Sequence, residues 1–201
     1  MTTRSATVTR TTRETSIRVT LALDGTGKTE VQTGIGFLDH LLDALGRHAR
    51  FDLALTCKGD LQVDDHHTAE DCALALGEAL AQALGERRGV NRFGWALAPL
   101  DEALARAVVD LSGRSFSDVA LGLHREAIGG LACENVAHVL RSLAATGRMT
   151  LHVDVLKGEN DHHRAEAAFK ATALALRQAT ARSGFDDVPS TKGTLGGASR
   201  E

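Results

Sequence analysis

The chain states one pattern twice. Asp65-His66-His67-Thr68-Ala69-Glu70 returns 96 residues later as Asp161-His162-His163-Arg164-Ala165-Glu166. Each copy opens a run of helix-forming residues, Asp71 to Leu84 and Ala167 to Ala181. In a chain of 201 residues that offset predicts two halves of like fold. Each is large enough to fold yet small enough to lean on its twin.

Local patterning gives both halves the same order of elements. In the first, Thr15 to Leu23 alternates with β-branched residues as a strand does. Asp24-Gly25-Thr26-Gly27 is a turn, and Lys28 to Thr33 is a second strand, so the pair predicts a hairpin. Leu38, Leu41, Leu42 and Leu45 carry helical spacing across Gly36 to Ala49. Phe51 to Cys57 is a strand, and a helix runs from His66-His67 to about Gly85. The second half repeats this with strands at 103–111, 115–121 and 149–156 and helices at 131–145 and 162–182. The fold class expected is α+β, an internal duplication of a ββαβα half with helices on one face of each sheet. The halves span about 10–95 and 96–185, and 186–201 forms a polar, partly flexible tail. Met1 to Ser16 is expected to be a ragged, partly ordered terminus.

Composition excludes several function classes. The net charge is −3, so no polybasic surface points to nucleic acid or an anionic membrane. No apolar run approaches the ~20 residues of a membrane span. The start lacks the apolar stretch of a secretory signal. Cys57, Cys72 and Cys133 lie far apart with no C-x-x-C spacing, as reduced, buried, intracellular thiols do. Aromatics make up 3% and Tyr is absent, so the core must be built from Ala, Leu and Val.

Six of the nine histidines fall into the duplicated pattern once His40 and His138 are added. Each half supplies one His on a helix, then His-His-x-x-Glu at the next helix start. His40 to His66 is 26 residues and His138 to His162 is 24. His66 and Glu70 are i,i+4, and His67 and Glu70 are i,i+3, so each histidine can share a face with the glutamate. Adjacent histidines point about 100° apart, so one pair is suited to two ions, each completed from elsewhere. Eight imidazole and carboxylate donors, with no thiolate, suit Mn²⁺, Fe²⁺ or Zn²⁺, and near-octahedral geometry with open positions favours Mn²⁺. The candidate ligands are His40, His66, His67, Glu70, His138, His162, His163 and Glu166. His48, His124 and His152 have no twin and are taken as structural. Asp65 and Asp161 stand where helix N-caps belong. A dinuclear hydrolase and a metal-assembled shell remain alternatives to any other enzyme built on these ligands.

At these residues the chain resembles the imidazoleglycerol-phosphate dehydratase family. The resemblance covers about residues 10–195. It rests on Arg13-Glu14-Thr15, Gly34 to His40, Asp64 to Asp71, Pro99 to Glu102, Asp110 to Arg114, His162 to Lys170 and Pro189 to Gly193. It implies ferredoxin-like, ribosomal S5 domain 2-like halves and the same eight metal ligands. Two Mn²⁺ per active site, a homo-oligomer of 24 subunits, active sites shared between subunits and a cytoplasmic location follow from it. Substrate contacts carry over to Glu14, Arg92, Arg114, Lys170, Ser190 and Lys192, with Thr191 between the last two and His40, His66 and His162 facing the imidazole ring. Two positions depart from the family pattern. Ala44 stands where many members have Gln, and Ser115 where many have Pro.

The activity so implied is a hydro-lyase step of histidine biosynthesis, imidazole glycerol phosphate to imidazole acetol phosphate. The C–H to be broken has no neighbouring carbonyl, so the ring must be the electron sink. A metal-bound imidazolate expels the adjacent hydroxyl, giving a diazafulvene-like intermediate. A base then removes the proton, and the enol ketonises. Glu14 is the first choice for the acid/base group and Asp101 the second. Arg92, Arg114, Lys170 and Lys192 would bind the phosphate, for which Arg offers paired donors.

Overall fold

A computed structural model of the protein describes residues 4–195. The first half contains β1 (Ser5–Thr11), β2 (Thr15–Ala22), β3 (Thr29–Gln32), α1 (Gly36–Ala49), β4 (Asp52–Gly59) and α2 (His66–Leu84). The second contains β5 (Phe93–Leu100), β6 (Ala103–Asp110), β7 (Phe116–Ala120), the two-residue strands β8 (Ala127–Ile128) and β9 (Leu131–Ala132), α3 (Cys133–Gly147), β10 (Thr150–Lys157) and α4 (Asp161–Thr180). The strand orders, β1-β2-β4-β3 and β5-β6-β10-β7, are the same arrangement twice. The α+β class and the duplication stand, but each half opens with a strand that the ββαβα reading lacked.

The first of these extra strands corrects the expectation of a ragged N-terminus. Ser5 to Thr11 pairs with β2 residue for residue, from Ser5 opposite Ala22 to Thr11 opposite Ser16. It is an edge strand with one fully buried residue, Val8, so its pattern is nearly all polar. The second, β5, contains Gly94 and Pro99, which interrupt a strand signature. Gly94 is required by packing. A Cβ there would collide with the backbone carbonyl oxygen of Ala175 in α4 and lie 2.8 Å from the Ala179 nitrogen. Gly94→Ala is expected to cost about 3 kcal/mol, read as a lower urea midpoint at unchanged slope.

The hairpin expected between residues 15–23 and 28–33 is also corrected. β2 and β3 are not neighbours, because β4 lies between them, antiparallel to β2 and parallel to β3. The intervening loop is held instead by Asp52 at the start of β4. Its carboxylate accepts from the backbone N–H groups of Thr26, Gly27 and Lys28.

Helices α1 and α2 cover the first sheet and α3 and α4 the second, while α1 packs on α4 and α2 on α3. The four helices therefore lie between the two sheets, and the halves share one core. α2 and α4 approach their neighbours closely because their buried faces are mostly Ala, including Ala69, Ala73, Ala75 and Ala79 on α2 and Ala165, Ala168, Ala171 and Ala175 on α4. Ile17, Val19 and Leu21 on β2 and Ala105, Ala107 and Val109 on β6 alternate inward against them.

The outer faces of the sheets differ. The first presents Thr7, Thr9, Arg18, Thr56 and Lys58. The second presents Phe93, Trp95, Leu97, Val108, Phe116 and Leu156, each 40–60% exposed. Among the described residues no helix is long and apolar enough to cross a membrane.

Candidate active site

The duplicated histidines sit at the N-terminal ends of α2 and α4, but the clusters they form cross between the halves. On one side, Nε2 of His40 from α1 lies 2.9 Å from Oε2 of Glu166 on α4, and Nε2 of His162 lies 3.2 Å from the same oxygen. On the other, Nε2 of His138 from α3 lies 3.2 Å from Oε1 of Glu70 on α2, and Nε2 of His66 lies 3.7 Å from Glu70 Oε2. In each trio, one donor atom per residue falls within 4.8 Å of the other two. The contacts α1–α4 and α2–α3 thus determine the grouping. His40 meets the second copy of the motif, and His138 meets the first.

His67 and His163 do not join the trios. His66 and His67 turn apart, with ring planes at 76°, and His162 and His163 do so at 89°, as helical geometry requires of neighbours. Nδ1–H of His67 donates to Asp60 at 3.0 Å, and Nδ1–H of His163 donates to Glu102 at 2.7 Å. Each bond occupies Nδ1, so Nε2 is the ring nitrogen left to face a ligand. Beside each of those Nε2 atoms stands a second carboxylate, Glu14 at 3.7 Å from His67 and Asp101 at 3.9 Å from His163. Glu14 lies at the β1–β2 turn and Asp101 at the β5–β6 turn, so the two acid/base candidates occupy equivalent places in the duplicated halves.

The electrostatics fit a cation. Burial opposes ionisation of Glu166, but hydrogen bonds from Lys170 Nζ and His40 outweigh it and hold its carboxyl down at about 2. Glu102 is also held at about 2, first by the backbone N–H of Asn160 and then by His163. His67 and His163 are raised above the ordinary imidazole value, chiefly by their bonds to Asp60 and Glu102. Nδ1–H of His66 donates to Asn135 Oδ1 at 3.1 Å, which directs its Nε2 to the trio. Nε2 of His138 is buried with no hydrogen-bond partner among the described residues, although it faces Glu70. An orphaned ring nitrogen beside a carboxylate and a second imidazole is what a bound divalent ion would satisfy.

Neither motif aspartate caps its helix as expected. Asp65 occupies the N-cap of α2 but makes no cap bond, and its carboxylate accepts from Ala132 N–H instead. Asp161 is the first residue of α4, not its cap, and accepts from the N–H groups of His124 and Arg125. The first-turn N–H groups are met by Asp64, which accepts from His66, and Asn160, which accepts from His162. Both motif aspartates tie their helix start to the neighbouring α3 or β7–β8 segment.

The residues assigned to phosphate separate into two places. Lys170 lies with the first trio, 2.7 Å from Glu166. Arg92 lies at the opposite end of α4, where its backbone N–H donates to Ala179. Its guanidinium grips Asp110 through Nε and Nη2 and the Pro189 carbonyl through Nη1, so three of its five donors are engaged. Arg92 thereby fixes the segment carrying Ser190, Thr191 and Lys192. Ser190 Oγ accepts from the Lys192 backbone N–H, and Thr191 and Lys192 are exposed. Arg114 is exposed on the loop after β6. Ala179 lies thirteen residue steps along α4 from Glu166, about 20 Å of axis. The tail beyond Leu195 lies outside the described residues.

Asp60, Glu102 and Asn135, which orient the ring nitrogens, were not assigned roles from sequence. A weak signal existed, since each is a carboxylate or amide at the end of an element next to a motif. Nothing in the spacing shows which histidine each one meets.

Together the fold and site define a class: duplicated α+β proteins whose imidazole and carboxylate donors gather in two trios bridging the halves. Residues 33–176 match the family model for imidazoleglycerol-phosphate dehydratase. An imidazoleglycerol-phosphate dehydratase of Phytophthora nicotianae is 59% identical over 96% of this chain, which spans 42% of that longer relative. One from Eremothecium gossypii is 53% identical over 96% of this chain and 98% of its own length. The solved structure of imidazoleglycerol-phosphate dehydratase from Staphylococcus aureus superposes with a TM-score of 0.81 at 32% identity, covering 89% of this chain and 99% of that one. The protein belongs to the imidazoleglycerol-phosphate dehydratase family. By that membership it is an enzyme, a hydro-lyase of histidine biosynthesis.

Proposed function

We propose that the protein dehydrates imidazole glycerol phosphate to imidazole acetol phosphate with two Mn²⁺ per active site, in a cytoplasmic homo-oligomer of 24 subunits. The observation that carries this reading is the arrangement of the eight donors. Six of them gather in two part-exposed trios, and the other two, His67 and His163, hold their Nδ1 atoms on Asp60 and Glu102 and turn their Nε2 atoms away from those carboxylates. His40, His162 and Glu166 would hold one ion, and His66, Glu70 and His138 the other. A second copy of the protein would complete each trio with its own His67 or His163. The apolar outer face of the second sheet is a surface for such self-association. No feature of the charge or the sheets favours nucleic acid or a membrane as a further partner.

When bound, the ions would act as Lewis acids that withdraw charge from the substrate's imidazole ring and hold it in place. Glu14 stands beside the ligand position of His67, half exposed and open to a substrate proton. The elimination needs a base for the C–H bond on the substrate's glycerol arm, because the ring supplies the electrons that expel the hydroxyl and leave a diazafulvene-like species. Glu14 takes that role in our reading, with Asp101 as its counterpart at the other trio. Lys170, Arg114, Ser190, Thr191 and Lys192 offer donors to the phosphate.

Incubating metal-stripped protein with imidazole glycerol phosphate tests the reading. Acetol phosphate is expected only after Mn²⁺ is added, and is expected to stop on chelation. Turnover in excess chelator would remove the metal from the mechanism, and an inert Mn²⁺-loaded assembly would favour a structural shell. Glu14→Gln is expected to lower kcat by about 100-fold or more while assembly persists. Full turnover in that variant would remove Glu14 from the acid/base role.

A further inference from the structure

We infer that Asp71 is a positioning residue that braces the β1–β2 hairpin on α2 and so sets Glu14 against His67. The inference rests on the catalytic reading of Glu14 given above. Asp71 lies one helical turn beyond His67, at i+4, and so on the same face of α2. It is a buried carboxylate, 6% exposed, that serves neither trio. Both of its oxygens are used by the hairpin. Oδ1 accepts from Arg10 Nε on β1 at 3.0 Å, with Nη2 also at 3.0 Å, and Oδ2 accepts from Thr15 Oγ1 on β2 at 2.6 Å. One residue therefore holds both strands of the hairpin, on either side of its tip.

The tip itself is closed by Thr12. Its Oγ1 accepts from the backbone N–H groups of Glu14 and Thr15 at 3.1 and 3.0 Å, and its own N–H donates to the Thr15 carbonyl at 2.9 Å. The turn is rigid within itself but is the edge of an edge strand. Its direction relative to α2 has to be fixed from outside. The Asp71 clamp and the Glu14–His67 approach are the two ends of that fixing, one turn of helix apart. The second half lacks the device, because the residue equivalent to Asp71, 96 positions on, is Ala167. The β5–β6 turn is instead fixed through Glu102, which accepts from the backbone N–H groups of Glu159 and Asn160. The two acid/base candidates thus stand on different supports, and only the Glu14 side depends on a single buried carboxylate.

Misplacing a catalytic group by about 1 Å costs on the order of 100-fold. Asp71→Ala in the Mn²⁺-loaded assembly is therefore expected to lower kcat by at least about 10-fold with KM held within about twofold. Asp71→Asn, which keeps an acceptor oxygen and the shape, is expected to recover part of it. Amide hydrogen exchange at Glu14 and Thr15 is expected to quicken in Asp71→Ala while amides of α2 keep their protection. Combined with Glu14→Gln, the Ala variant should add no further loss, since a misplaced group that is already removed costs nothing more. Unchanged exchange at the hairpin tip, or losses that multiply in the double variant, would overturn the brace. If Glu14→Gln kept full turnover while Asp71→Ala still loosened the tip, the catalytic reading of Glu14 would fall and the structural brace would survive it. Should Asp71→Ala fail to assemble, the same comparison is made with Asp71→Asn, whose wild-type kcat and exchange together would count against the inference.

Discussion

On the two-ion reading proposed above, Glu166→Gln is expected to reduce turnover by on the order of 1,000-fold and to release one of two ions per subunit. Its carboxylate is the anion of the His40–His162 trio and is shared at 2.9 and 3.2 Å by both imidazoles. A metal acting on developing charge contributes several kcal/mol, and about 1.36 kcal/mol corresponds to tenfold. The amide keeps the shape but not the charge, so the ion at that trio would be lost first. The Glu70 trio, built on α2 and α3, has no residue in common with it and should retain its own ion. Metal analysis after dialysis should therefore show about half the wild-type Mn²⁺ content. Full stoichiometry with full turnover would mean that the trio is a hydrogen-bonded cluster and not a metal site. Loss of both ions would mean that the trios are coupled through assembly.

That half-and-half outcome depends on a grouping the sequence did not reveal. Spacing marks eight candidate donors, because a repeat carries its pattern over, and it predicts that adjacent histidines diverge, because a helix turns about 100° per residue. It leaves open which of them share an ion. The structure groups His40 with His162 and Glu166, because α1 packs on α4. Which helix meets which is decided by long-range packing of Ala-rich faces, and Ala patterns look alike on α2 and α4. The first strand was illegible for a related reason. β1 is an edge strand whose only fully buried residue is Val8, so its local pattern matches a polar tail. Its place in the sheet comes from pairing with β2 and from the Arg10–Asp71 contact, neither of which leaves a periodic trace. Asp60 and Glu102 were missed because tautomer control is a matter of distance alone. The duplicated α+β plan, by contrast, was plain, since it follows from order and offset.

If, on the reading proposed above, the segment held by Arg92 binds the phosphate, mixed assemblies of two inactive variants are expected to regain activity, because one subunit's trio and that segment lie too far apart to share a substrate. The His40–His162–Glu166 trio and Arg92 lie at opposite ends of α4, about 20 Å apart. The three-carbon arm between an imidazole ring and a phosphate falls well short of that. If Arg92, through its hold on the Pro189 carbonyl, places the phosphate-binding tail, then ring and phosphate must be held by different subunits. Glu166→Gln and Arg92→Ala should each be inactive as pure assemblies. Stripped of metal, mixed in equal amounts and reassembled with Mn²⁺, they should recover up to roughly a quarter of wild-type sites, the chance that an intact trio meets an intact tail across a symmetric interface. Activity no greater than the average of the two pure variants would place ring and phosphate on one subunit. That result would require the tail to travel the length of α4, breaking the Arg92–Asp110 and Arg92–Pro189 contacts. The same mixing with Glu70→Gln in place of Glu166→Gln asks whether the second trio is shared in the same sense. Equal recovery would show that both halves of the duplication serve sites between subunits.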